Sequence, residues 1–374
     1  MQVKCKLCGL NCVKNGKTSA GVQRWYCKQC KSSTIRTIDN TAKRLNFFLK
    51  WLFGKKTQAE MTESARSFRR KTKEFWVYWP MPPKIEEPKE VLYVDGIYLA
   101  AKACILICYD GESVLGWYLC RTENARAWEA LMQRIAAPTV VVTDGGRGFL
   151  KAKKSVWPKT KIQRCTFHAF CQVRRYTTRN PRTTAGYELY ILAKDLLYIK
   201  SQEEAVHWMK RLLEWPIKYR AFLAEMSRDS NGTLRPTHER LIKANHSLIT
   251  IMKQDAMFTY LKDTLDLTTQ SCPATNNAIE GGVNAQLRAL LRQHRGLSIK
   301  RRIKAVFWWC YMHSPQPLSA SEILSTMPTD ESISSIYKKM NERAQLESSI
   351  PSWGDAIVWS DLHNYDKFIV NDWD

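Results

Sequence analysis

The sequence predicts an α/β protein: a mixed sheet flanked by helices, preceded by two small N-terminal modules. Three observations predict it. Runs 91–99, 103–109 and 114–119 are rich in β-branched and aromatic residues, and Asp110-Gly111 between the last two is a hairpin signal. Strand-like and helix-like stretches alternate after them. Ahead of them stand two Cys-x2-Cys pairs and a Lys/Arg-dense segment with helical periodicity.

The chain has 374 residues, enough for two or more domains, and its 44% hydrophobic content is ordinary for a globular protein. Its net charge of +23, from 58 lysines and arginines against 35 acids, is not. Such an excess suits a polyanionic partner, nucleic acid first and an anionic membrane surface second. No uninterrupted apolar run is long enough to span a bilayer and no signal segment is evident, so a soluble intracellular protein is expected, with no membrane partner. Residues 1–90 hold 20 bases against 7 acids, whereas residues 331–374 hold 8 acids against 4 bases, which puts the polyanion grip at the N-terminal end. Twelve cysteines without a secretory signal read as reduced thiols.

Cys5-x2-Cys8 and Cys27-x2-Cys30, 18 residues apart, have the spacing of a zinc ribbon over residues 1–37. Each pair sets two thiolates on one side of a tight turn, and four complete a tetrahedron around one structural Zn²⁺. Cys12 is a spare thiol or a substitute for Cys8. Trp25 is expected to pack the ribbon's small core rather than touch DNA.

Over residues 41–79, Leu45, Phe48, Leu49, Leu52 and Phe53 recur at helical spacing, and Gly54 stops that helix. Thr57 with Glu60 forms a capping box for the next, followed by a basic helix over 64–76. Short helix, turn and basic helix make a helix-turn-helix pattern, with Arg66, Arg69, Arg70 and Lys73 as DNA contacts. A merely solvated basic face is the alternative. Pro80, Pro82, Pro83 and Pro88 among charged residues read as a linker over 80–90.

The main domain opens at residue 91, and Asp95 interrupts its first strand. An unpaired charge in a buried strand is costly, so Asp95 lies at a strand end or faces a cation. Residues 124–137 read as an amphipathic helix carrying Trp128, Leu131, Met132 and Ile135 on one face. Strand 139–143 runs into Asp144-Gly145-Gly146. That is a carboxylate at the carboxyl end of a strand, beside glycines that let a backbone approach a phosphate; a plain turn is the alternative. A helix at 147–157 and a fifth strand at 161–165 lead to Cys165-x2-His168, either half of a metal site or a structural pair, within a first core segment of 91–182.

Residues 183–271 turn all-helical, with a Ser201/Glu204 capping box and stripes that put Trp208 and Trp215 in a core. Residues 272–314 resume the main domain. A helix started by Pro273 and a Thr/Asn cluster carries Glu280, Asn284 and Arg288 as a polar stripe. Gly281-Gly282 would cost such a helix about 1 kcal/mol each, which suits a close approach of another element. A basic-then-aromatic helix follows at 299–309, and residues 315–374 are a tail without a motif.

The order β-β-β-α-β-α-β-α is that of the ribonuclease-H-like fold, in which the first and fourth strands are neighbours and a late helix packs beside them. Asp95, Asp144 and Glu280 at those places would converge on two Mg²⁺ ions about 3.5–4 Å apart. Taken with the paired cysteines and the helix-turn-helix, Val94-Asp95-Gly96, Thr143-Asp144-Gly145-Gly146, Cys165-x2-His168 and Asn276-Asn277-x2-Glu280-Gly281 resemble the Mutator-type bacterial insertion-sequence transposases, over about residues 1–314. The resemblance implies a DDE triad of Asp95, Asp144 and Glu280 holding two catalytic Mg²⁺, for which Mn²⁺ substitutes. It implies a helical insertion that contacts DNA ends, a homodimer or larger assembly on DNA, and a cytoplasmic, nucleoid-associated enzyme; Arg288, on the polar stripe with Glu280, is a candidate DNA contact. Such an enzyme cleaves element ends and joins the 3′-hydroxyl to target DNA. The resemblance also gives Cys165 and His168 a place near the site. About 135 residues separate Asp144 from Glu280, which leaves Glu188 and Glu239 as rival acids. A DNA-binding regulator and a plain metal-dependent nuclease are the alternatives; a regulator has no need of three acids at metal-site positions.

Overall fold

The computed structural model describes residues 3–36, 39–56, 58–61, 63–262, 265, 267–268 and 271–346. Strands β1 (Val13–Lys17), β2 (Gln23–Cys27) and β3 (Ser32–Ile35) form a small antiparallel sheet in that order. Cys5, Cys12 and Cys27 are its buried core, and Trp25 packs against them, so this ring is structural.

Helix α1 (Thr41–Phe53) turns Leu45, Phe48, Leu49 and Leu52 inward and ends where the Gly54 N–H donates to Trp51 O. Thr57, expected to open the next helix, lies outside the described residues. Helix α2 (Ala65–Thr72) starts instead at Ser64, whose hydroxyl accepts the Ser67 N–H at 3.2 Å, and the chain continues as a 3₁₀ turn over Lys73–Val77. Phe48, Trp51, Phe68, Phe75 and Trp76 share one continuous apolar core with the main sheet. The proline segment after them is not free: Pro80, Met81 and Pro82 are buried, and Arg134 donates to Pro82 O. Its apolar residues are drawn into the core, and its extended backbone bridges Ile85 to Ile135.

The main sheet is built from β4 (Val91–Leu99), β5 (Ala103–Tyr109), β6 (Val114–Cys120), β7 (Val140–Thr143) and β8 (Lys161–Arg164), in the order β6-β5-β4-β7-β8. The first two pairings are antiparallel and the last two parallel. The first and fourth strands are therefore neighbours, with Val91, Leu92 and Tyr93 opposite Val140, Val141 and Val142. Helices α3 (Ala125–Met132) and α4 (Arg147–Val156) pack together through Trp128 and Phe149, 5.1 Å between ring centroids. Helix α3 is shorter than its apolar periodicity suggested, because the Arg134 carbonyl and the Ala136 N–H are taken by the backbone of Ile85.

Helices α5 (Thr166–Thr177), α6 (Thr184–Asp195), α7 (Gln202–Lys218), α8 (Arg220–Leu223) and α9 (Glu239–Lys253) form a second layer with its own apolar core. The Ser201/Glu204 capping box forms. Trp208 and Trp215 are buried and donate Nε1–H to Leu192 O and Ala185 O. The segment is not wholly helical, as the sequence suggested, because β9 (Met226–Arg228) and β10 (Leu234–Pro236) make a hairpin. Its turn carries Asn231-Gly232, with Gly232 at φ +78° and Asp229 Oδ1 accepting the Asn231 and Thr233 N–H groups.

Glu280 lies on a π-helical turn, Ala278–Asn284, that leads into α10 (Ala285–Gln293). Helices α11 (Ile299–Met312), α12 (Ala320–Thr326) and α13 (Asp330–Leu346) close the chain, and residues 347–374 of the expected tail lie outside the described residues. Ile323, Ile333 and Ile336 join the main core, so this part of the tail is an integral layer. No helix of the described residues is long and apolar enough to cross a membrane.

Candidate active site

Asp95 sits in the middle strand of the main sheet, where its Oδ1 accepts the Gly96 N–H at 2.9 Å and its Oδ2 accepts Asn284 Nδ2 at 2.7 Å. Burial and the nearby Asp144 charge push its pKa up to about 6, against the pull of the Gly96 N–H, Asn284 and Arg288. Asp144 follows the last residue of the adjacent parallel strand, and the Gly146 N–H donates to its Oδ1 at 2.9 Å. Gly145 there has φ +82°, which leaves the chain free to turn out of the sheet. Burial and the charges of Asp95 and Asp144 push Glu280 up to about 7, with Arg288 opposing. Three acids from remote parts of the chain thus share one place. The rivals Glu188 and Glu239 are ion-paired with Lys218 and Lys243 on the helical layer.

A fourth acid, which sequence reasoning missed, belongs to the cluster. Glu123, in the loop between β6 and α3, is pushed up to about 7 by burial and by Asp144 and Asp95. A Cβ added to Gly96 would lie 2.5 Å from its Oε1, and one on Gly146 would lie 3.9 Å from its Oε2. The available signal was its position at the carboxyl end of the third strand, just before Asn124, whose side chain caps α3. That is the rule that singled out Asp144.

The Glu280 segment is held from below. Cys165 Sγ accepts the Asn276 N–H at 3.2 Å, the Thr166 N–H donates to Ala274 O, and Asn276 Nδ2 donates to Val94 O. His168 Nδ1 approaches Glu280 Oε1 to 3.3 Å without the alignment of a hydrogen bond. Burial keeps this imidazole below its usual pKa although Asp144 pulls the other way. Donor atoms of Cys165, His168 and Glu280 lie within 4.8 Å of one another, one ligand short of a tetrahedron. The Cys165 sulfur is engaged by the Asn276 N–H, and burial raises its thiol pKa. Of the two glycines there, Gly281 is crowded, with Asn277 Oδ1 2.8 Å from an added Cβ, while Gly282 faces open space. The crowding at Gly281 comes from Asn277, the cap of the same turn, and not from the other element that the paired glycines suggested.

Half-buried carboxylates that raise one another's pKa retain protons or attract a cation. Asn284 Oδ1, in a side chain with no exposure, has no hydrogen-bond partner among the described residues. Carboxylate and amide oxygens are hard donors, so the set fits Mg²⁺ or Mn²⁺ better than a thiophilic metal.

The sulfurs of Cys5, Cys8, Cys27 and Cys30 lie within 4.8 Å of one another. Backbone N–H groups of Cys8 and Leu7 lower Cys5 to about 6 and favour its thiolate. Four thiols in a small knuckled sheet fit one structural Zn²⁺, and Cys12 stays outside the set. Arg66, Arg69, Arg70 and Lys73 line one cleft of about 760 Å³, together with Arg301 and the turn after α10. Arg288 is exposed one helical turn beyond Asn284.

Residues 95–247 match the family model described as Transposase, Mutator family. The matched segment begins at Asp95 and contains Glu123, Asp144, Cys165 and His168, whereas Glu280 and the four clustered cysteines lie outside it. The chain is similar to the transposase for insertion sequence element IS905 of Lactococcus lactis subsp. lactis (strain IL1403), at 27% identity over 164 residues, 39% of this chain and 41% of that protein. It is also similar to the transposase for insertion sequence element IS6120 of Mycolicibacterium smegmatis, at 35% identity over 96 residues, 21% of this chain and 28% of that protein. The chain thus matches less than half the length of either curated relative.

Proposed function

From the premise that this chain belongs, through residues 95–247, to the Mutator family of transposases, we propose that it is a DDE transposase that cuts DNA at the ends of an insertion sequence and joins the 3′-hydroxyl to target DNA. The observation that carries this reading is the meeting of Asp95, Asp144 and Glu280, from two neighbouring strands and a late helical turn, in one half-buried cluster. The strand order β6-β5-β4-β7-β8 supports assignment of the sheet to the ribonuclease-H-like type. On this reading residues 1–37 are the zinc ribbon and 183–271 the helical insertion, while 41–79 and 91–182 with 272–314 are joined through one core.

Asp95, Asp144 and Glu280 would hold two Mg²⁺, which when bound act as Lewis acids on the attacking and leaving oxygens of a phosphodiester. The chain's own residues supply position. Asn284 orients Asp95, the Gly146 N–H orients Asp144, and the Cys165–Asn276 contact with His168 sets Glu280. Cleavage and joining are both in-line displacements at phosphorus, so one fixed set of carboxylates serves each. The four clustered cysteines would carry one Zn²⁺, lost in Cys27→Ser, and the basic cleft at α2 would grip the DNA ends in a dimer or larger assembly.

The test is incubation of the protein and Mg²⁺ with DNA carrying the element's own ends. Nicked and joined products are expected from the native chain. Glu280→Gln, Asp144→Asn and Asp95→Asn should retain end binding and lose both. Nicks without joined products would make the protein a plain nuclease, and full activity in Asp95→Asn would end the transposase reading.

A further inference from the structure

Beside the acid cluster a cleft of about 500 Å³ opens between the Asp144–Gly146 loop, α5 and the start of α9. Arg164, Arg175, Arg240 and Lys243 line it, with Tyr176, and Asp144 stands at its edge. Three of these cations, on α5 and α9, come from the helical layer and Arg164 comes from β8 of the main sheet, so the cleft lies where the two layers meet.

Arg164 is the telling member. It ends β8, and its guanidinium lies so close against Gly145 that a Cβ there would fall 2.3 Å from Cζ. Its Nη1 is buried and has no hydrogen-bond partner among the described residues. A buried donor left unpaired costs about 1–3 kcal/mol, and more when charged. Asp144 is near enough to act on it through charge, yet Nη1 stays without a partner among the described residues. Arg175 and Arg240 are exposed, and Arg240 Nη2 spends one donor on the Arg175 carbonyl at 2.7 Å. Lys243 pairs with Glu239 on the surface. Most of the guanidinium donors in the cleft therefore remain to be used.

We propose that this cleft seats the phosphodiester backbone of the DNA strand next to the bond being cut. In this assignment Arg164 is the phosphate ligand beside Asp144, and Arg175, Arg240 and Lys243 take the phosphates that follow. A row of cations on two helices suits successive phosphates better than a single small anion, and planar guanidinium groups bind phosphate oxygens in pairs. The assignment depends on the proposed DNA chemistry for its ligand, and its test reads binding rather than cleavage.

The test uses the full-length protein and a duplex carrying an element end with flanking sequence. Arg175→Ala/Arg240→Ala/Lys243→Ala should lower the slope of log K against log salt by about 2–3, close to one phosphate contact per residue. The KM for cleavage should rise about tenfold or more, while Mn²⁺ affinity by calorimetry stays unchanged. Arg175→Lys/Arg240→Lys should recover most of the slope. Arg164→Gln should reduce cleavage more than binding. Because the triple variant changes exposed helix positions, an unchanged thermal midpoint shows that it folds. An unchanged salt slope and KM in a folded triple variant would overturn the assignment. Inactive native protein whose salt slope still falls in the triple variant would overturn the DDE reading and leave the cleft standing.

Discussion

Asn284 donates its Nδ2–H to Asp95 Oδ2 at 2.7 Å, tying the helix that follows Glu280 to the first strand of the main sheet across 189 residues of chain. One side chain thus fixes the orientation of one acid and the approach of another. Partners that orient a metal ligand typically contribute 10–100-fold in affinity or activity. We expect Asn284→Ala to weaken Mn²⁺ binding by about that factor, measured by calorimetry, with end binding unchanged. Unaltered Mn²⁺ affinity would show that the contact is only packing.

The acid cluster has a defined pH signature. Asp95 titrates at about 6 and Glu123 and Glu280 at about 7 in the folded chain, against about 4 when unfolded. Between those values the folded, metal-free chain binds more protons than the unfolded chain, so these groups make stability fall as pH rises from about 4 to about 7. Metal must displace the protons, so its affinity climbs over the same window. Thermal midpoints at about pH 5.5 and about pH 8 should show a larger gain from Mg²⁺ at the higher pH. Glu123→Gln removes one of the clustered charges. It should raise the metal-free midpoint at about pH 8 and weaken Mn²⁺ binding about tenfold. A variant with neither change would make Glu123 a mere neighbour of the α3 cap.

Much of this arrangement was legible because strands announce themselves. The meander and the β7 strand into Asp144 follow from β-branched and aromatic runs bounded by turn residues, whereas β8, with Ile162 as its one β-branched residue, is legible only from its place after the helix at 147–157. What escaped was set by tertiary contact. The end of α3 is decided by Ile85, a residue about 50 positions upstream, and no local pattern encodes that pairing. The π turn at Glu280 follows from how Cys165, Thr166 and Val94 hold residues 274–276. Glu123 was readable by the same strand-end rule as Asp144, but it lay in a short charged loop with no glycine to mark it. The hairpin in the helical layer was marked by Asn231-Gly232 and was hidden by the helical stripes on both sides.

The basic cleft at α2 should be probed by charge rather than by deletion. Removing residues 1–80 would strip Leu45, Phe48, Leu52 and Phe75 from the main core and unfold the sheet with it. Arg66, Arg69, Arg70 and Lys73 are exposed, so replacing all four by alanine spares the core. If they contact phosphates, the salt slope for end binding should fall by about 3–4, measured by fluorescence anisotropy across a salt series. No change in slope would reduce the cleft to a solvated basic face.

Asp330, at the start of α13, fastens that helix to the rest of the fold. Lys304 has a side chain only 1% exposed, and its Nζ donates to Trp76 O at 2.6 Å and to Asp330 Oδ1 at 2.7 Å. Trp79 Nε1 donates to the same Asp330 oxygen at 2.8 Å. One carboxylate at the start of α13 therefore joins the segment after α2 to α11. Burial pulls Lys304 down to about 8, although Asp330 pulls it back up. Removing one partner of a buried pair leaves an uncompensated charge, so Asp330→Ala should cost about 3 kcal/mol at neutral pH. Without Asp330 the folded pKa of Lys304 drops below 8, and the ammonium can release its proton at lower pH. Wherever the folded chain binds fewer protons than the unfolded chain, stability rises with pH. The variant enters that window before the native chain does, so the gap between them should narrow as pH rises from about 7 to about 9. Urea unfolding at the two pH values measures this. A gap that stays constant would mean that Lys304 keeps its proton through Trp76 and the face of Trp79, 4.5 Å from Nζ, and that Asp330 serves mainly as the acceptor for Trp79.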